Sequence, residues 1–120
     1  MSKICFLLDE NMPHAVRDQL LLHESSIEIF AVGDDTAPVL GTPDPDILAW
    51  IEANNAVLVS RNRRTIPNHL QDHLAAGGHV PGILLLRRRC TLGQVITDLL
   101  LVWNASDPDE YRDRIEYLPL

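Results

Sequence analysis

The chain is poor in several features that commonly indicate a function. Its two cysteines, Cys5 and Cys90, form no CxxC or Cys/His ligand spacing, which argues against a disulfide framework and a cysteine-based metal site. Aromatic residues make up only 5%, so no stacking platform for single-stranded nucleic acid is indicated. No apolar run reaches membrane-spanning length, and no basic region precedes a long apolar one near the N-terminus. We therefore expect no membrane association and a cytoplasmic location.

Positive charge is also scarce, but it is unevenly distributed. The net charge is −7, and Lys3 is the only lysine. Most of the arginines nevertheless lie in two triplets, Arg61, Arg63 and Arg64 and then Arg87, Arg88 and Arg89. Because salt screens charges beyond about 8 Å, the local charge of a triplet matters more for binding than the total. The net charge therefore argues against a broad basic face for nucleic acid, whereas two local phosphate-binding clusters are compatible with the sequence.

The 120 residues are expected to form one domain, residues 1–120. Apolar runs typical of strands alternate with segments typical of helices. Strands are predicted over residues 3–8, 27–32, 56–60, 82–86 and 115–118, and helices over residues 13–23, 44–54, 67–76 and 91–103, with a further helical turn from residue 107. This alternation implies right-handed crossovers, a mainly parallel central sheet and helices on both of its faces.

The most informative segment is the first apolar run, which ends at Asp9, Glu10 and Asn11. In α/β sheets, ligands bind beyond the carboxyl ends of the strands, where these side chains are expected. Paired carboxylates at that edge suggest a site for Mg²⁺ or Mn²⁺, which prefer oxygen ligands. The competing interpretation is that Asp9 and Asn11 begin the next helix as caps.

Other predicted strands bring further polar residues to the same edge. Asn62 and its neighbouring arginines follow the third strand, and the second arginine triplet follows the fourth. Asp44 and Asp46, at the start of a helix that packs back along the sheet, could approach the same rim. An acidic centre with basic flanks is expected of a metal-dependent phosphodiesterase. Asp44 is equally well interpreted as a helix N-cap, and Asp46 as a first-turn acid favoured by the helix dipole.

Two histidines, His69 and His73, lie four residues apart on a predicted helix, which is a spacing found in metal sites. No glutamate stands beside His69 and no third ligand is evident. We interpret both as surface residues of the helix.

Four segments together resemble the PIN-like proteins of the DUF5615 group, which are relatives of PIN-domain ribonucleases such as the toxins of toxin–antitoxin pairs. Phe6–Pro13 resembles the opening Asp-Glu-Asn-x-Pro motif, and Gly41–Trp50 resembles the acidic start of a helix with Ile-Leu. Val57–Arg64 resembles a segment that usually reads Val-Leu-Val-Thr-x-Asp-x-Asp-Phe, and Pro81–Arg87 resembles the strand that follows. The resemblance spans about two-thirds of the chain.

This resemblance implies a PIN-like three-layer α/β/α sandwich and Mg²⁺- or Mn²⁺-dependent hydrolysis of single-stranded RNA. By position, Asp9 is the first metal ligand, and Asp44 or Asp46 supplies the second carboxylate. The third acidic position of the catalytic set falls on Asn62, and the next aspartate of that motif falls on Arg64. An amide removes one negative charge and an arginine adds a positive one, so both changes are expected to weaken binding of a divalent cation.

The resemblance also implies roles for residues that lie close to these acidic positions. Phosphates of RNA would be bound by the arginines beside the acidic centre, Arg61, Arg63, Arg64 and Arg87. The metal ligands would be supported by Glu10, Asn11 and Ser60. An antitoxin-like protein partner and a homodimer are also expected from the resemblance.

Two hypotheses stay open after this reading. One is a metal-dependent endoribonuclease of PIN-like type, toxin-like and degenerate at Asn62. The alternative is a catalytically weak or inactive PIN-like protein that binds RNA or a protein partner. A receiver-type phosphoacceptor is disfavoured, since Asn62 stands where its nucleophilic aspartate would be and Lys3 is the only lysine.

Overall fold

Five strands and four helices alternate along residues 4–120, the part of the chain that the computed structural model describes. The strands are β1 (Cys5–Leu8), β2 (Ile29–Ala31), β3 (Ala56–Ser60), β4 (Ile83–Leu86) and β5 (Ile115–Leu118). The helices are α1 (Ala15–His23), α2 (Asp44–Asn54), α3 (Ile66–Ala75) and α4 (Leu92–Ala105). Lys3, where the first strand was predicted to begin, lies outside the described residues. None of the described helices is both long and apolar enough to cross a membrane.

The strands form one sheet in the order β2-β1-β3-β4-β5, and every neighbouring pair is parallel. From β1 the chain first adds β2 on one side and then β3 on the other. The order therefore reverses between β1 and β3, and in open α/β sheets a ligand crevice forms outside the carboxyl ends of the strands at such a point. β1 and β3 are in register with Leu8 beside Val59, so both strands end at this crevice.

Side chains of the central strands alternate between two apolar cores. Phe6 and Leu8 of β1 lie in the core that includes residues of α1 and α4. Leu7 lies in the other core, with residues of α2 and α3. The residues of β3 and β4 are all buried, as expected for strands covered on both faces. The predicted three-layer α/β/α sandwich is thus confirmed, and its sheet is entirely parallel.

Local sequence signals explain several helix ends. The Thr91 hydroxyl accepts a hydrogen bond from the Gln94 backbone N–H, and the Gln94 side chain accepts one from Thr91 N, which forms a capping box at the start of α4. After α3, Gly77 has a φ of 89°, a conformation that favours glycine. β5 pairs only with β4 and occupies the sheet edge.

The predicted helical turn from Asp107 is wrong, since residues 108–113 form turns and no helix. Asp113 ends these turns with a φ of 58°. Its carboxylate accepts hydrogen bonds from the Val80 backbone N–H, at 2.8 Å, and from His79 Nδ1, also at 2.8 Å. These contacts tie the segment to the chain before β4 and direct it into β5, which a continued helix would not allow.

Candidate functional site

Asp9 lies at the carboxyl end of β1 and is only 9% exposed. Its backbone N–H donates to Val59 O at 2.9 Å and so extends the pairing with β3. The carboxylate accepts one hydrogen bond on each oxygen, from Glu10 N at 2.9 Å and from the Ser60 hydroxyl at 2.7 Å. Asp9 is therefore held in one orientation at the crevice between β1 and β3, as the sequence predicted for its position.

Ser60 and Asn62 connect Asp9 to a second carboxylate. The Ser60 hydroxyl, which is fully buried, accepts a hydrogen bond from the Asn62 backbone N–H at 3.0 Å. The Asn62 side-chain Nδ2 donates to Asp44 Oδ2 at 2.9 Å and to Thr65 Oγ1 at 2.7 Å. We call these five residues, Asp9, Ser60, Asn62, Asp44 and Thr65, the Asp9–Asp44 network.

The prediction that Asp44 is the N-cap of α2 is wrong. Pro43 has the extended N-cap conformation, and Asp44 is the first helical residue. α2 begins one residue earlier than the N-cap interpretation requires. The Asp44 carboxylate lies at the loop after β3, where Oδ2 also accepts from the Thr65 hydroxyl at 3.1 Å. Asp46 is exposed and makes no side-chain hydrogen bond or ion pair with residues 4–120. Of the two candidate carboxylates, it is Asp44 that joins the network.

The supporting residues predicted from the sequence have different contacts. Glu10 is exposed, and its Oε1 accepts from the Gly41 backbone N–H at 2.8 Å, which links the loop before α2 to the end of β1. Asn11 was also interpreted as a helix cap, and this is wrong. α1 begins only at Ala15, and Asn11 Oδ1 instead faces the Arg61 backbone N–H at 3.5 Å.

Arginines from both triplets line a depression of about 410 Å³ beside the network, at the ends of β3 and β4. Arg63 Nη1 donates to Leu86 O at 2.6 Å, and the Arg87 guanidinium lies over the Tyr117 ring, 5.5 Å from its centroid. The arginines of both triplets are exposed, but Arg64 and Arg89 are not part of this lining. We call the depression, lined by Arg61, Arg63, Leu86, Arg87, Arg88 and Cys90, the arginine depression.

Cys90 is the one thiol at this edge of the described structure, and its chemistry is limited. Burial and the charge of Asp98 raise the pKa of the Cys90 thiol, while Arg61 acts in the opposite direction. A thiol with a raised pKa is protonated near neutral pH and is a poor nucleophile. The arrangement therefore favours anion binding by the arginines over cysteine chemistry.

At the crevice, two carboxylates and one amide stand where the resemblance to PIN-like proteins calls for three carboxylates. Within residues 4–120 no three His, Cys, Asp or Glu side chains are grouped so that they could hold a metal ion. At the third acidic position, the Asn62 amide directs an N–H group, and not an oxygen, at Asp44. Hydrogen bonds to a carboxylate are among the stronger ones in proteins, so this contact fixes the Asp44 side chain beside Asn62.

His69 is a neighbour of this site that the sequence did not predict. Its Nε2 lies 3.7 Å from Asp44 Oδ2, across from Asn62 and Thr65. The i, i+4 spacing with His73 was a misleading signal, because His73 instead contacts Glu52 at 2.6 Å near the opposite edge of the sheet. A useful signal would have been the position of His69 in the first turn of α3, directly after the Asn62 loop.

A second polar cluster at the amino edge of the sheet had no sequence signal. Glu52 Oε1 accepts from His73 Nε2 and from the His79 backbone N–H at 2.8 Å, and His79 contacts Asp113. These hydrogen bonds, from the His79 N–H and then from His73, hold the pKa of Glu52 below its usual range. Burial acts to raise the pKa of Asp113, but hydrogen bonds from Val80 N and His79 lower it overall. The cluster ties α2, α3 and the segments before β4 and β5 together.

Comparisons with known proteins found no matching family model, curated protein or solved structure. The class that the fold and site define is a three-layer α/β/α protein with an acidic network and an arginine-lined depression at the carboxyl edge of a parallel sheet.

Proposed function

We propose that this chain is a PIN-like protein that binds single-stranded RNA by its phosphates and has a catalytically weak or inactive acidic centre. The observation that carries the proposal is the 2.9 Å hydrogen bond from Asn62 Nδ2 to Asp44 Oδ2. It stands at the position where the resemblance to PIN-like proteins calls for a third carboxylate.

The charge of this centre is the main argument for weak catalysis. Affinity for hard cations depends on the number of charged oxygen ligands. The Asp9–Asp44 network contains two carboxylates, and Asn62, Ser60 and Thr65 already donate hydrogen bonds to them. A cation would compete with these donors for the carboxylates, with only two negative charges to compensate for its lost hydration.

The arginines beside the network support RNA binding. Arg61 and Arg63 follow β3, and Arg87 follows β4, so both triplets come to the carboxyl edge of the sheet. Guanidinium groups match phosphate oxygens in geometry and charge, and phosphate contacts provide most of the sequence-independent affinity for nucleic acids. The proposed ligand is therefore the RNA backbone and not its bases.

A second candidate is a Mg²⁺- or Mn²⁺-dependent endoribonuclease, toxin-like and held in check by an antitoxin-like partner. It is favoured by one observation, that Asp9 and Asp44 belong to a single hydrogen-bonded network at the crevice between β1 and β3. In this candidate Asp9, Asp44 and Asp46 would hold the ion, and the ion would polarise the scissile phosphate.

Calorimetric titration of Mn²⁺ distinguishes the two candidates. We expect no micromolar binding by the wild-type protein and a gain of binding in Asn62→Asp, because the added carboxylate opposes Asp44 and recruits a cation. Asn54→Asp is the matched control, since Asn54 lies at the end of α2 and its Nδ2 donates only to the Trp50 carbonyl in its own helix. The control should bind no Mn²⁺.

Cleavage of a single-stranded RNA is measured on the same proteins. The wild-type protein should be inactive or nearly so, and Asn62→Asp should gain Mn²⁺-dependent cleavage that Asp9→Asn then abolishes. Micromolar Mn²⁺ binding and cleavage by the wild-type protein, both lost in Asp9→Asn, would instead establish the endoribonuclease. Absence of RNA binding by the wild-type protein would contradict both candidates.

A further inference from the structure

We infer that the arginine depression binds a phosphate group of high charge density, either a terminal phosphate monoester or a diphosphate. If the phosphate belongs to the end of an RNA strand, this inference rests on the proposed function. If it belongs to a small phosphorylated molecule, the inference does not depend on the proposed function. The two sources share one chemistry and are separated by the experiment below.

The first argument is uncompensated charge. Four arginines, Arg61, Arg63, Arg87 and Arg88, line one depression of about 410 Å³. Across residues 4–120, arginine ion pairs form only at Arg17, Arg112 and Arg114, which are elsewhere. Four like charges therefore lie together with no carboxylate partner in a protein of net charge −7. Their mutual repulsion is relieved by an anion that carries several charges.

The second argument is that part of the depression is held in place. The Arg63 guanidinium donates to Leu86 O at 2.6 Å, so the loop after β3 is fixed to the end of β4. Arg87 lies over the Tyr117 ring of β5 at 5.5 Å. Arg61 and Arg88, by contrast, have no side-chain hydrogen bond or ion pair with the described part of the chain. Two guanidinium groups thus shape the depression, and two have all of their donors available for a ligand.

Neighbouring groups contribute little to anion binding. The start of α4 is close in sequence, but its capping box already uses the backbone N–H groups of Thr91 and Gln94. Asp98, the carboxylate that acts on Cys90, accepts a hydrogen bond from the Leu120 N–H at 2.9 Å and forms no ion pair within residues 4–120. Recognition therefore depends on the guanidinium groups.

The grouping of charge favours a terminal phosphate over an internal one. An internal phosphodiester carries one charge and is flanked by nucleosides, so a bound strand is matched by cations that follow a groove. Here the cations surround a single depression. A phosphate monoester carries about −1.5 to −2 near neutral pH, and a diphosphate carries more. The volume is also within the range of about 300 to 1,000 Å³ that is usual for small-molecule sites.

The first test is calorimetric titration of sodium pyrophosphate into the full chain, in buffer with a chelator. We expect binding by the wild-type protein and a loss of roughly tenfold or more in affinity in Arg61→Gln/Arg88→Gln, since each charged hydrogen bond contributes substantially. Arg89→Gln is the matched control, because Arg89 is exposed, adjacent in sequence and outside the lining. Arg63 is left intact because its hydrogen bond to Leu86 O supports the fold, and thermal unfolding verifies that each variant is folded.

The second test compares a short single-stranded RNA with a 5′-phosphate and the same RNA with a 5′-hydroxyl. Tighter binding of the phosphorylated RNA, with the preference lost in the double variant, supports a strand end as the ligand. Pyrophosphate binding without any RNA binding supports a small phosphorylated molecule and contradicts the proposed RNA function. Equal binding of both RNAs with no pyrophosphate binding overturns the inference and leaves the proposed function standing. An affinity loss in Arg89→Gln equal to that of the double variant also overturns it.

Discussion

Ser60 is the residue that joins the two halves of the acidic network. It is fully buried, and its hydroxyl donates to Asp9 while it accepts from the Asn62 backbone N–H. A hydroxyl is the smallest side chain that can both donate and accept, and here it does so between a carboxylate and an amide. The position of Asn62, and hence its contact with Asp44, follows from this one side chain.

Replacement of Ser60 by alanine is therefore expected to destabilise the protein. Asp9 loses its donor and Asn62 N loses its acceptor, and an unsatisfied buried polar group costs about 1 to 3 kcal/mol. Urea unfolding measures the change. Ser26→Ala is the control, because the Ser26 hydroxyl bonds Glu24 at the exposed surface and should contribute less than about 0.5 kcal/mol. Equal stability of the two variants would contradict the role assigned to Ser60.

At the scale of elements, the turn into β4 depends on a close contact between Gly82 and the backbone of Tyr111. Gly82 has a φ of 156°, and a Cβ placed on it would lie 2.6 Å from Tyr111 Cβ and 3.0 Å from Tyr111 O. Gly82 O also accepts a hydrogen bond from Leu58 N at 3.1 Å. The segment before β5 therefore packs directly on the backbone that connects β4 to β3.

Gly82→Ala is expected to destabilise the protein by about 2 to 4 kcal/mol, from backbone strain and overpacking against Tyr111. Gly93→Ala is the matched control, since nothing lies within 4 Å of a Cβ in that first turn of α4. The control should be neutral or more stable by up to about 1 kcal/mol, because alanine favours helix. Chemical denaturation of both variants decides the matter, and a tolerated alanine at Gly82 would refute the packing argument.

At the scale of the whole molecule, polar clusters of different kinds lie at the two edges of the sheet. The carboxyl edge carries the Asp9–Asp44 network and the arginine depression, whereas the amino edge carries Glu52 and Asp113, paired with His73 and His79. Both carboxyl groups at the amino edge have pKa values below their ordinary values of 4.5 and 3.8. They connect parts of the chain that are distant in sequence, so their charge affects the global stability.

This arrangement predicts a pH dependence. A depressed native pKa means that the stabilisation is fully present above the ordinary pKa of the carboxyl group and is lost as the pH falls through the native value. Glu52→Gln should therefore lower the unfolding midpoint at about pH 6.5 and have little effect at about pH 3. Asp72→Asn is the control, an exposed carboxylate on α3 without a side-chain partner in residues 4–120. A Glu52→Gln effect that is constant over this pH range would contradict the prediction.

Much of the fold was predictable because its signals are local. Each of these signals depends on a few adjacent residues: the mostly apolar run that forms β3, the capping box at Thr91, and the glycine that follows α3. Alternation of such strands with helices predicts a parallel sheet, because each helix returns the chain to the end of the sheet where the previous strand began. The placement of Asp9 and the arginine triplets at one edge follows from that topology alone.

What only the tertiary structure decided is which of these residues meet and in what chemical state. Sequence could not choose between Asp44 and Asp46, because the choice depends on how the start of α2 packs against the loop after β3. Nor could it predict that Asn62 donates to Asp44, or that Glu52 gathers contacts from His73 and His79, since these pairs are separated by 18 or more residues and have no periodic pattern. Hydrogen bonds between side chains of different elements require the packed positions of those elements, and only the folded chain supplies them.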